Sequence, residues 1–173
     1  AIYNGGIVIP LAGGTIAITD QAVAPLGVLG GVEYVDSNNG KTVWSNYWPG
    51  SNNVSVDTNH PVKAFVYDDP MQLYVVCADG TNTSRATALA DTFANCDMAS
   101  VNSGSTNTGM ASDMLDISSA ATTNTLDVRI VGLYEEAGNT DYSALGHQYI
   151  VRLNHPYNSG VGAAVGTFAT TAI

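Results

Sequence analysis

Short apolar runs recur along the chain. Several alternate with polar residues at the period of two that marks a half-buried strand. Residues 6–10 (GIVIP) and 15–19 (TIAIT) read as two short strands around a Gly13-Gly14 turn. Residues 25–34 (PLGVLGGVEY) read as a longer strand, and its internal glycines predict a bulge or sharp bend. The turn formers Asp36, Ser37, Asn38, Asn39 and Gly40 follow. Residues 41–48 (KTVWSNYW) then predict the return strand of a hairpin, ended by Pro49-Gly50. Residues 51–60 are polar and predict an exposed loop. Residues 62–67 (VKAFVY) and 71–77 (MQLYVVC) flank Asp68-Asp69-Pro70 and predict a second hairpin.

Residues 86–95 (ATALADTFAN) are the one helix candidate. Leu89, Phe93 and Cys96 fall at i, i+4 and i+7 on a single apolar stripe, with Thr83 or Ser84 as the cap. Residues 101–113 (VNSGSTNTGMASD) predict a long flexible loop. Residues 125–134 form the clearest strand pattern, with Leu126, Val128, Ile130 and Gly132 on one face and Asp127, Arg129 and Val131 on the other. Residues 148–154 predict the last strong strand. A Gly/Ala-rich tail, 158–173, closes the chain. Residues 1–173 thus read as a single all-β domain, a barrel or sandwich of antiparallel strands with one short helix.

Composition narrows what such a scaffold does. Five Lys and Arg stand against 15 Asp and Glu, giving a formal charge of −10 and a pI of about 4.2. Lys41, Lys63, Arg85, Arg129 and Arg152 are scattered along the sequence, so no nucleic-acid partner is expected, because phosphate neutralisation needs clustered cations. The acidic balance also argues against an anionic membrane surface. No apolar run approaches the ~18 residues of a membrane helix. Charged residues make up only 12%, about half the usual share, which leaves a neutral, hydroxyl-rich surface that suits packing in large extracellular assemblies or β-rich secreted proteins. No signal-peptide pattern is visible. The chain begins at Ala1, which leaves methionine trimming and a longer precursor both open. Cys77 and Cys96 lack the paired CxxC half-sites of a zinc motif and read as two buried free thiols, with a disulfide as the alternative.

Candidate chemistry is sparse. His60, His147 and His155 read as exposed or capping histidines. His147 and His155 sit eight residues apart on the last strand, about 26 Å if extended, too far to share a metal. Asp68, Asp69 and Asp79 lack EF-hand spacing and read as turn residues. Glu135 and Glu136 are adjacent on a loop, where side chains rarely converge as glycoside hydrolysis requires. No nucleophile elbow, phosphate loop or dinucleotide fingerprint is present. No catalytic residue, cofactor or metal site is expected, and the chain reads as non-enzymatic.

The aromatic residues are the sharper candidates for an interface or ligand surface: Trp44, Tyr47, Trp48 and Tyr67. Trp44 and Trp48 lie four apart, on one face of the expected strand, and Tyr47 lies on the other. Core packing is the default for such residues. An exposed aromatic row would instead stack on sugar rings or anchor a protein interface. The first use would make the chain a carbohydrate-binding module or adhesin. A β-barrel hydrolase needs a cleft of clustered carboxylates, which the scattered acids do not suggest.

The order of these pieces adds a resemblance. IYNGGIVIPLAGGTIAI, then LGVLGGVEYVDSNNGKTVWSNYWPG, VKAFVYDDPMQLYVVCADG and the closing LDVRIVGLYEEAGN…HQYIVRLNHP are similar to virion structural proteins of tailed phages, marine podoviruses among them. The hairpin EYVDSNNGK…SNYWPG and VYDDP are its most specific parts. The resemblance implies a capsid decoration or cement protein on the virion surface. Its partners would be the major capsid protein and copies of itself, as a homo-oligomer on the capsid. It brings no catalytic residues.

Overall fold

The computed structural model describes residues 1–19 and 24–158. Its strands are β1 (Ile7–Pro10), β2 (Ile16–Ile18), β3 (Gly27–Val35), β4 (Thr42–Ser45), β5 (Lys63–Tyr67), β6 (Tyr74–Cys77), β7 (Asn95–Ala99), β8 (Met114–Ala121), β9 (Val128–Leu133) and β10 (Gln148–Leu153), with one helix, α1 (Arg85–Ala90). Two antiparallel five-stranded sheets stack as an all-β sandwich. The first runs β2-β1-β3-β4 with β5 on the other edge of β3, and the second runs β6-β10-β9-β7-β8. An isolated bridge from Ala78 to Leu115 reaches between the outer strands of the second sheet, but no continuous ladder closes it into a barrel.

The nine-residue β3 organises the first sheet. One edge pairs with β1 and then β4, and the other pairs with β5. The expected glycine irregularity is present: the β3–β5 register shifts between Leu29 and Gly31, and Gly31 has φ 146. A side chain is also sterically barred nearby. A Cβ at Gly30 would lie 2.8 Å from the Tyr67 ring, and one at Gly27 would lie 2.2 Å from the Tyr67 carbonyl.

Two expectations fail here. Residues 62–67 and 71–77 do not form a hairpin. β5 pairs with β3 and β6 pairs with β10, so the Asp68-Asp69-Pro70 turn carries the chain from one sheet to the other. The inward side chains explain this. Val66 packs on Val8, Leu29 and Val32, whereas Tyr74 and Val76 pack on the core of the second sheet. The helix is also shorter than 86–95. Ser84 caps it with a reciprocal Thr87 bond, as expected for one of the two candidates, but the helix stops at Ala90. Ala88 alone is buried; Leu89 and Phe93 face solvent, and Cys96 belongs to β7. The amide of Phe93 donates to Ile130 and that of Ile130 to Ala94, so sheet pairing captures the chain before another turn can form.

The main core gathers Cys96, Met98, Leu115, Val128, Ile130, Leu133, Tyr149, Val151 and Leu153 from the second sheet, with Ile7 and Val28 from the first. Each large side chain buried there contributes about 1.5–3 kcal/mol. The register of β9 against β10 skips Val131, a bulge that brings Leu133 to the buried face after Val128 and Ile130. Cys77 and Cys96 lie on strands separated by β10 and β9. Those strands do not pair with each other, and both thiols are free; Cys96 is buried as expected but Cys77 is only half-buried.

The 101–113 segment folds on itself through Ser105–Met110 and Ser112–Ser103 bonds and exchanges backbone hydrogen bonds with Asn4 through Gly109 and Ala111. The Asn46 side chain donates to the Thr108 carbonyl. Of the 158–173 tail, only Asn158 falls within the described residues; its amide donates to Asp68 at 2.9 Å.

Candidate functional site

The alternation in β5 places Lys63, Phe65 and Tyr67 on the outer face of the first sheet. Glu33 on β3 pairs with Lys63 on one side and Trp44 of β4 on the other. Lys63 Nζ donates to Glu33 Oε1 at 2.9 Å. Phe65 lies opposite Gly31, which offers no side chain. Trp44 therefore leans across the gap and stacks on Phe65, with centroids 4.9 Å apart at 23°. The Tyr67 ring rests over Gly30. The result is an aromatic surface on a glycine floor: Trp44 is 65% exposed, Tyr67 60% and Phe65 42%. It borders the outer edge of β5, which carries no strand among the described residues.

Trp44 and Tyr67, two of the four expected residues, come together on this surface. The other two are used elsewhere. β4 ends at Ser45, so Trp48 lies beyond the strand and does not share the face of Trp44. Trp48 instead bridges to Ile2 and meets Tyr34 edge-on at 5.8 Å, against Val8, Leu29 and Val32. Tyr47 stacks on Tyr3 at 5.4 Å. Phe65 was not among the expected residues, though its spacing of two from Tyr67 in an expected strand was signal enough.

Titratable groups are arranged otherwise than expected. His147 is neither exposed nor a cap. It is buried, its Nδ1 faces the Ala144 carbonyl at 3.2 Å, and its Nε2 meets Asn82 and the Tyr149 hydroxyl at 3.3 Å each. In the tautomer that carries its proton on Nδ1, the ring donates to the Ala144 carbonyl and Nε2 accepts from Asn82. The Tyr149 hydroxyl accepts from Asn82 at 2.8 Å and donates to Asp91 at 3.1 Å, and burial beside that carboxylate raises its pKa. This network ties α1 to β10. His60 stays exposed and contacts Asp57 at 2.8 Å. Glu135 pairs with Arg85 rather than with Glu136. Burial, reinforced by nearby Asp91, pushes the Cys96 thiol up to about 12, which keeps it protonated and unreactive. Among the described residues no three His, Cys, Asp or Glu side chains gather as a metal site.

Comparison with protein-family models, curated proteins and solved structures finds no match to this chain. The physical content of the aromatic surface stands without that help. Stacked rings on a sheet face bind flat apolar partners, and an open edge strand offers backbone donors and acceptors to another chain.

Proposed function

We propose that the protein is a non-enzymatic structural subunit that works through protein–protein contact at the aromatic β5 surface. In this reading the assembly is a phage virion. The chain decorates or cements the outside of the capsid, touching the major capsid protein and further copies of itself. The observation that carries the reading is the exposure of Trp44, Phe65 and Tyr67 together beside a strand edge that pairs with no strand among the described residues. Clustered exposed apolar residues of this kind mark interaction sites. The resemblance to phage virion proteins supplies the identity of the assembly. The acidic charge fits a place away from packaged DNA.

The test is co-sedimentation of the purified chain with phage heads that lack it, followed by electron cryomicroscopy of the heads. Density at regular outer sites, with the β5 surface covered and binding lost in Trp44→Ala and Tyr67→Ala, is the expected result. A chain that stays in the supernatant, and whose tryptophan fluorescence shifts saturably with a glycan, would replace this reading with sugar binding on the same rings.

A further inference from the structure

The outer face of the second sheet carries a feature that the aromatic edge does not explain. Arg129 on β9 and Arg152 on β10 are directly opposite partners in the ladder. Such residues project from the same face with Cβ atoms about 5 Å apart, and like charges placed this way destabilise a sheet. The chain has only five Lys and Arg. Lys63 and Arg85 are paired with carboxylates, whereas among the described residues none forms an ion pair with Arg129 or Arg152. The acids close in sequence to Arg129 and to Met71 have hydrogen-bond partners of their own. Asp127 accepts the Met98 amide, Asp69 accepts the Met71 amide, and Asp68 accepts from Asn158.

Apolar groups flank the two guanidiniums. Arg129 lies over the Phe93 ring at 5.9 Å. Arg152 Nη1 lies 3.8 Å from Met71 Sδ. Phe93 and Met71 are 67% and 68% exposed, and Leu73 and Val75 beside them are exposed as well. Phe93 is also held at φ 72, a left-handed backbone that is strained for a residue with a side chain. Repulsion, strain and apolar exposure thus converge on one patch of an otherwise acidic protein.

We infer that the face around Arg129 and Arg152 is a docking site for an acidic segment of a partner polypeptide. One carboxylate of the segment meets each guanidinium, and its apolar neighbours cover Phe93 and Met71. The planar fork of arginine matches a carboxylate bidentately, and an arriving negative charge relieves the repulsion that the free subunit carries. Arginine and aromatic residues in one patch are the usual energetic anchors of an interface. A short acidic segment fits better than a long polyanion, which the net charge of −10 would repel. This inference does not rest on the role of the β5 surface.

The test is an amide NMR titration of the whole chain with acetyl-Leu-Glu-Glu-Phe-amide and with its Lys-Lys counterpart. The Glu peptide should give saturable shifts confined to β9, β10, the Phe93 turn and the residues around Met71. Its affinity should fall about tenfold in Arg152→Gln and in Arg129→Gln, weaken with salt, and stay unchanged in Trp44→Ala. The Arg152→Gln chain should melt no lower than the parent, because removing one charge removes repulsion. Absence of saturable shifts, equal binding of the Lys peptide, or a lower melting temperature in Arg152→Gln would overturn the inference. Sedimentation of the parent as a dimer that both Arg→Gln variants abolish would also overturn it, by naming a second copy as the occupant.

Discussion

Asp113 offers a perturbation whose sign and size follow from the structure. It ends the 101–113 segment, its Oδ2 is buried without a hydrogen-bond partner, and the Ile7 amide nearby favours its charged form. Burial dominates over that amide and raises its pKa from 3.8 to about 6. Between those values the folded chain binds the proton more tightly than the unfolded chain does. Stability is therefore greatest at the acidic end and declines as pH rises through about 6. A shift from 3.8 to about 6 corresponds to about 3 kcal/mol at 1.4 kcal/mol per tenfold. The site is only partly buried, and solvent screening reduces this to about 1–2 kcal/mol. Urea unfolding of the parent and of Asp113→Asn at intervals from about pH 4 to pH 8 measures it. The amide substitution adds a pH-independent offset through its buried NH2 group. The difference between the two curves should nevertheless change by about 1–2 kcal/mol across this window in favour of the variant, then level off. Parallel curves from end to end would refute the reasoning.

Three further outcomes are expected. Tyr149→Phe removes a hydroxyl that both Asn82 and Asp91 use, and should cost about 1–3 kcal/mol in urea unfolding. Gly27→Ala drives a methyl into the Tyr67 carbonyl and the Val66 side chain, separating β3 from β5; a loss of about 1–3 kcal/mol and a shift in tryptophan emission should follow. An aromatic disulfide reagent should titrate no more than the Cys77 thiol in the native chain and both thiols in urea, because Cys96 is buried and stays protonated.

What the sequence made legible follows its local physics. The apolar alternation of 128–131 and 148–153, the glycine bulge in β3 and the Ser84 cap were all readable because each is decided by residues near in the chain. β7 was hidden because Asn95 and Cys96 also continue a helical spacing from Leu89 and Phe93, and only the Phe93 and Ile130 amides decide the contest. β8 was hidden by its composition: Ser118, Ser119, Ala120 and Ala121 have little strand preference of their own and are held by pairing with β7. Partner choice for β5 and β6 was likewise invisible, since a turn signal says where the chain bends and not which strand receives it. At the aromatic surface, alternation placed Trp44 and Tyr67. The end of β4 at Ser45 depends on residues far away, because Asn46 is drawn to Thr108 and Trp48 to Ile2.

The division of the strands along the chain bears on how the molecule is made. Every strand of the first sheet lies within residues 7–67, and every strand of the second within residues 74–153. On a ribosome the first sheet can complete its ladder before the second has been synthesised, so no pairing partner has to be awaited from the far end of the chain. Ile7 and Val28, however, are buried in a core that the later strands supply. Until those strands emerge, the early sheet holds its backbone bonds but shows an uncovered apolar face. Sheet docking then joins the two halves, and the bonds of Gly109 and Ala111 to Asn4 fasten the segment before β1 to a later one.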